Sequence, residues 1–168
     1  MEKRLSDIEY REITPADDAV LAEIIRHNLK AHGLDIPGTV YFDTNLDHLS
    51  DFYLAEPEKR FYYMVLEDGA VIGGIGLAEV SFIDECAELQ KIYLTDAAKG
   101  RGIGYDMMRR IEDKARSLGY KKMYLETHTN LAAAIHIYDK CGYTRIERPA
   151  EVVHSTMNLF FMKDLYTL

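Results

Sequence analysis

Between Ile92 and Gly104 the chain reads Ile-Tyr-Leu-Thr-Asp-Ala-Ala-Lys-Gly-Arg-Gly-Ile-Gly: an apolar strand, a polar turn, a glycine-rich loop with two cations, and a helix start. No other stretch restricts the fold as much, because a strand that feeds a helix through glycines leaves the first helical amides pointing outward. Gly100, Gly102 and Gly104 let the backbone approach a ligand with no Cβ in the way. Phosphate is the natural occupant, favoured by the positive end of the helix dipole and by Lys99 and Arg101. A Walker loop is excluded, since Tyr105 and Asp106 stand where Lys and Ser or Thr are needed. A dinucleotide fingerprint fits poorly: Met107 follows where the last glycine belongs, and the loop sits in mid-chain. The competing reading is a tight turn whose glycines serve packing alone.

The elements on either side follow from periodicity. Leu5 to Ile13 reads as a strand, and Thr14-Pro15-Ala16-Asp17 as a helix start with Thr14 as cap and Asp17 as its capping-box partner. The helix runs to about His32, with Leu21, Ile24, Ile25 and Leu29 on one face and Gly33 just past its end. Ile36 to Phe42 is irregular but rich in large apolar residues, either a lid over a substrate or a loop packing onto the core. A short helix is expected from Leu46 to Leu54, then strands Phe61 to Leu66 and Val71 to Val80 around an Asp68-Gly69 hairpin. Gly73, Gly74 and Gly76 mark either a close approach or, more simply, a bulge. Past the loop, Ile103, Met107, Ile111, Ala115 and Leu118 repeat at helical spacing up to Gly119, and Lys122 to Glu126 returns as a strand parallel to the first. A further helix runs from Leu131 to Cys141 with Asn130 as cap, followed by strands Tyr143 to Glu147 and Met157 to Asp164.

Strand Cys86 to Leu94 breaks its own alternation. If Leu89 faces the core, strict period two would bury Lys91 and Tyr93, yet Ile92 and Leu94 carry the opposite parity. A bulge near Gln90 or Lys91 resolves the conflict and frees backbone donors for an extended amide or a developing oxyanion; the alternative is a regular strand from which Lys91 snorkels.

At 168 residues with no composition break, residues 1–168 suit a single domain, and the 48% apolar content excludes disorder. A net charge of −8 argues against nucleic acid and suits a cationic partner. The first residues hold no apolar targeting segment and no run reaches membrane-spanning length, so a cytoplasmic protein without a membrane partner is expected. Cys86 and Cys141 lack metal-ligand spacing and read as buried thiols, and no metal is expected.

The order of Glu88-Leu89-Gln90-Lys91-Ile92-Tyr93-Leu94, Lys99-Gly100-Arg101-Gly102-Ile103-Gly104, Asn130 and Ile137-Tyr138-Asp139-Lys140-Cys141-Gly142-Tyr143 resembles the GCN5-related N-acetyltransferase (GNAT) superfamily. That family's loop reads Gln/Arg-x-x-Gly-x-Gly/Ala; both glycines match, and Lys99 replaces the first residue, keeping the charge but losing bidentate geometry. The resemblance implies an α/β (α+β) fold: a mixed, mostly antiparallel sheet of about six or seven strands, about four flanking helices, and two splayed parallel strands forming a coenzyme cleft. It implies acetyl-CoA as co-substrate, its pyrophosphate on the amides of Arg101 to Gly104 beside Lys99 and Gly100, its pantetheine arm along Ile92, Tyr93 and Leu94 and near Asn130.

The implied reaction moves an acetyl group directly to an amine of a small molecule or peptide. An ammonium has no lone pair, so a base must take its proton: Glu88 is the first candidate, Glu126 the second, and either carboxylate can instead anchor the cation. Tyr138 resembles the tyrosine that protonates the departing thiolate, and its helical face also suits plain core packing. The alternative function is a non-catalytic CoA-binding sensor or interaction domain of the same fold. Homodimers are common among similar proteins.

Overall fold

The computed structural model describes residues 4–153 and 155–167. Strand β1 (Ile8–Glu12) is shorter than its apolar pattern predicts, because Leu5–Asp7 winds into a 3-10 turn. The expected capping box closes a 3-10 turn at Pro15–Asp17: the Thr14 amide donates to Asp17 Oδ2 at 2.8 Å. Arg11 grips the same carboxylate with two bonds of 2.7 and 2.8 Å, which pulls the Asp17 pKa below the usual range. Helix α1 (Asp18–Ala31) follows, and Gly33, at φ +70°, lets the Leu34 amide return to the Leu29 carbonyl. Of the helix expected from Leu46 to Leu54, only α2 (Leu49–Ala55) is α-helical; Leu46–His48 is a 3-10 turn.

Strands β2 (Phe61–Glu67) and β3 (Ala70–Glu79) join at Asp68 and Gly69, both left-handed, as a tight primed turn requires. Strand β4 (Cys86–Leu94), helix α3 (Ile103–Ser117), strand β5 (Lys122–Thr127), helix α4 (Ala132–Lys140) and strands β6 (Thr144–Ile146) and β7 (Leu159–Asp164) complete the chain. The sheet runs β1-β2-β3-β4-β5-β7-β6, antiparallel at every pairing except β4 with β5. Alternation along the strands sends side chains to opposite faces. Tyr62, Met64 and Leu66 pack with Leu21, Ile25 and Leu29 of α1 and with Leu49 and Tyr53 of α2. Val65, Ile75, Leu77 and Leu89 pack on the other side with Met107 and Ile111 of α3 and Tyr138 of α4. Burying side chains such as these contributes about 1.5–3 kcal/mol each.

The register between β3 and β4 slips between Gly74 and Gly76, so Lys91 and Ile92 stand opposite Ile75 alone. Lys91 takes φ +51°, which settles the bulge where the parity break placed it. The glycines of β3 answer to both readings offered for them. A Cβ at Gly74 or Gly76 would collide with the ring of Tyr62, whose hydroxyl crosses to donate to the Lys91 carbonyl at 2.7 Å. Tyr62 is fully buried.

Two local expectations are corrected. Helix α4 starts at Ala132 with Leu131, not Asn130, at the cap position; the Asn130 amide group reaches back to the His32 carbonyl at 2.9 Å and ties α4 to the end of α1. Cys86 is buried, but Cys141 is only partly so, because it sits where α4 gives way to Gly142. Among the described residues no helix is long and apolar enough to cross a membrane.

Candidate functional site

Strands β4 and β5 pair only over Cys86–Glu88 and Lys122–Tyr124. Beyond Glu88 they part, and a cleft of about 750 Å³ opens between them. Its walls are the β4 backbone to Leu94, the loop at Lys99, Gly100 and Gly102, the start of α3, one face of α4 and the end of β5. Gly38, Thr39 and Val40 line one rim and Ser155 and Met157 the other. The rims touch: Thr156 Oγ1 donates to the Pro37 carbonyl at 3.2 Å, and Gly38 has no side chain to keep the two apart. The segment Ile36 to Phe42 packs Val40 and Tyr41 on the α1 core, as the second reading of it has it, and lines the cleft through Gly38 to Val40.

The glycine loop ends the cleft. Gly100 and Gly102 are left-handed, at φ +74° and +80°, and a Cβ at either would point into open space. Gly102 occupies the N-cap position of α3 and no side chain caps that end, so the first amides of α3 remain for a ligand. Gly104 is a glycine for a different reason: a Cβ there would meet Ile137 of α4. The two cations of the loop are engaged within the protein. Arg101 turns away from the cleft to clasp Glu67 through Nη1 at 3.1 Å and Nη2, and Lys99 donates to Asp96 at 3.2 Å. The side chain of Arg101 thus fastens the loop to the β2–β3 hairpin, and the backbone is what the loop presents.

Tyr138 projects from α4 between Tyr143 and Phe161, with only 3% of its surface exposed, and it lines the cleft. Its hydroxyl forms no hydrogen bond with the described residues, and burial, followed by the proximity of Tyr93 and Cys141, pushes its pKa well above that of a free tyrosine. Such a phenol is held protonated. Tyr93 is raised in the same way, chiefly by burial. Leu94 ends the β4 wall with its carbonyl bound to Asn28 Nδ2 of α1 at 3.0 Å, while Ile92 packs on the α3 side.

Glu88 pairs in register with Tyr124, two residues before Glu126, so both carboxylates share a face and line the cleft. Burial raises the Glu88 pKa, opposed by a 2.6 Å bond from Gln90 Nε2 and reinforced by the charge of Glu126. Gln90 in turn accepts from the Tyr53 hydroxyl at 2.8 Å, so a chain from α2 orients Glu88. Glu126 accepts from Tyr124 at 3.0 Å and from Ser155 at 3.1 Å. Sequence reasoning did not anticipate the bond from Gln90 to Glu88, although period two from Glu88 signals it, nor the link from Tyr53 to Gln90, for which nothing local does. It also missed Thr127, a cleft residue 2% exposed whose hydroxyl has no partner among the described residues. An orphaned hydroxyl in the cleft wall suits a ligand with an amide or hydroxyl to share. Among the described residues no group of three or more His, Cys, Asp and Glu is arranged to hold a metal ion.

A splayed parallel pair, an uncapped glycine helix start and a bulged strand in one cleft form a distinctive combination, and the model of the Acetyltransferase (GNAT) family matches residues 23–143. This chain belongs to the GNAT family of acetyltransferases. An uncharacterized N-acetyltransferase of Escherichia coli K12, YjgM, is 33% identical over 139 residues, 82% of each chain. The GNAT fold recurs in a Staphylococcus aureus acetyltransferase with a TM-score of 0.80 at 17% identity, covering 94% of this chain and 99% of that one. It recurs also in yncA of Salmonella typhimurium, solved with its cofactor acetyl-CoA, with a TM-score of 0.75 at 22% identity over 96% and 95% of the two chains.

Proposed function

We propose that this GNAT chain transfers the acetyl group of acetyl-CoA directly to an amine of a small molecule or peptide. The observation that carries the reading is that the uncapped start of α3, the open edge of β4, Tyr138 and Glu88 all line one continuous cleft. Bound acetyl-CoA supplies an activated thioester. The amides of Arg101 to Gly104 hold its diphosphate, the edge of Ile92 to Leu94 pairs with its amide-bearing arm, and Thr127 flanks that arm, while Asn130, whose amide is engaged by the His32 carbonyl, is not among the residues that line the cleft. The amides at the β4 bulge are offered to charge that builds on the carbonyl oxygen. Glu88, whose raised pKa brings it closer to neutrality than an ordinary carboxylate, takes the proton of the ammonium directly or through water. Glu126 draws the cation in and stands as the second candidate base. Tyr138, held protonated by burial, gives a proton to the departing sulfur. No residue of the chain needs to carry the acetyl group, and Cys141 stays outside the reaction.

The test is titration with acetyl-CoA in a calorimeter, followed by CoA release measured with a panel of amines. Saturable binding together with amine-dependent CoA release is expected. Binding without release from any amine would convert the assignment to a coenzyme sensor, and absence of binding would end it.

A further inference from the structure

The bulge in β4 does more than interrupt a ladder. Glu88, Gln90 and Tyr93 belong to the α1–α2 side of the sheet, where Gln90 meets Tyr53 and Tyr93 packs on the α1 core, whereas Leu89, Ile92 and Leu94 pack on the α3 side. In a regular strand Lys91 would follow Leu89 into the α3 core. As the additional residue of the bulge, at φ +51°, it is released from that alternation and lines the cleft instead. A left-handed backbone is costly for a residue with a Cβ and persists only where its surroundings hold it. Here Tyr62 clamps the Lys91 carbonyl, and two glycines of β3 make room for the clamp.

The position holds a cation that the protein leaves unanswered. Lys99 is paired with Asp96 and Arg101 with Glu67, but the Lys91 ammonium makes no hydrogen bond or ion pair with any described residue. Lys91 is half-buried, and burial pulls its pKa below that of an ordinary lysine, against the opposing charges of Glu88 on its own strand and Asp43 on the α1–α2 connection. The cleft is thus lined, among the described residues, by an unpaired ammonium and by two carboxylates, Glu88 and Glu126. A half-buried charge of this kind is satisfied by an opposite charge brought in from outside. A polyamine would present the wrong sign to it.

We infer that the acceptor is an amino acid or amino-acid-like small molecule, whose acid group binds Lys91 while its amine lies between Glu88 and Glu126. The inference rests on the reading of this chain as an amine acetyltransferase and narrows it to a substrate class. Lys91 acts as a specificity-determining residue: it touches the acceptor, not the reacting atoms.

The experiment compares matched acceptors, each amino acid against its decarboxylated amine and its carboxamide, by CoA release with the full chain, alongside acetyl-CoA calorimetry. For wild type, the best amino acid is expected to exceed both acid-free partners in kcat/KM by about 10- to 100-fold, the range for a hydrogen-bonded charge contact. In Lys91→Met that ratio should fall to about one, with the loss mainly in KM, and Lys91→Arg should restore part of it. Acetyl-CoA affinity near wild type shows that the variants are folded. A wild-type preference for the acid-free amines, turnover of no pair, or a ratio unmoved in Lys91→Met overturns the inference and leaves the acetyl-CoA reading standing. Absence of acetyl-CoA binding to wild type strikes the underlying reading, and the inference with it.

Discussion

Tyr138→Phe separates chemistry from packing at a residue that serves both. The substitution keeps the ring between Tyr143 and Phe161, each 6.1 Å away between centroids, and removes only the oxygen. Because that hydroxyl makes no hydrogen bond within the described protein, its loss leaves no buried group without a partner. Stability should stay within about 0.5 kcal/mol of wild type. For a chain of this size that is a shift of about 1–2 °C in Tm. Loss of a general acid lowers the chemical step by about 10²–10⁴-fold, equivalent to about 3–5 kcal/mol of barrier. The assay is steady-state CoA release at saturating acceptor, with calorimetry confirming that acetyl-CoA affinity is retained. Since the raised pKa keeps the phenol protonated, wild-type kcat should not fall on this residue's account below about pH 10, the value for a free tyrosine. A kcat within about threefold of wild type would refute the acid role. So would a loss of stability that accounts for the loss of turnover.

Two further predictions probe the elements around it. For Glu88→Gln, the base works when deprotonated, so wild-type kcat/KM should rise with pH through a pKa raised by burial above the ordinary carboxylate value and level off beyond it. The variant should lose that limb and about 10²-fold of the plateau; an unmoved limb hands the role to Glu126 or to water. Gly74→Ala drives a Cβ into the buried ring of Tyr62, and overpacking of this kind costs about 1–3 kcal/mol. Chemical denaturation should show that loss, and a midpoint equal to wild type would mean that Tyr62 has other ways to hold the bulge.

The elements legible in the sequence were those whose signal is local. Met107, Ile111 and Ala115 announce α3 by period, Gly33 and Gly142 mark helix ends with left-handed backbone, and the parity conflict at Lys91 located the bulge within a residue. What failed to show were long side chains that choose partners across the fold. Arg101 stands in the loop and suggests a phosphate ligand, but Glu67, 34 positions away, takes its guanidinium. Asn130 has the composition of a cap, yet His32, 98 positions away, takes its amide. Gln90 and Tyr53 become a relay to Glu88 only when α2 is laid on the sheet. The glycines of β3 were ambiguous because the ring they accommodate belongs to another strand.

The short seam between β4 and β5 has a mechanical consequence. Three residues on each side join the β1–β4 half of the sheet to the β5-β7-β6 half. From Glu88 to Leu94 the edge of β4 that faces β5 runs unpaired for about 20 Å at the rise of an extended chain, while its other edge stays on β3. Beyond that seam the two halves are tied by single side-chain hydrogen bonds, Thr156 to the Pro37 carbonyl and Asn130 to the His32 carbonyl, rather than by a ladder.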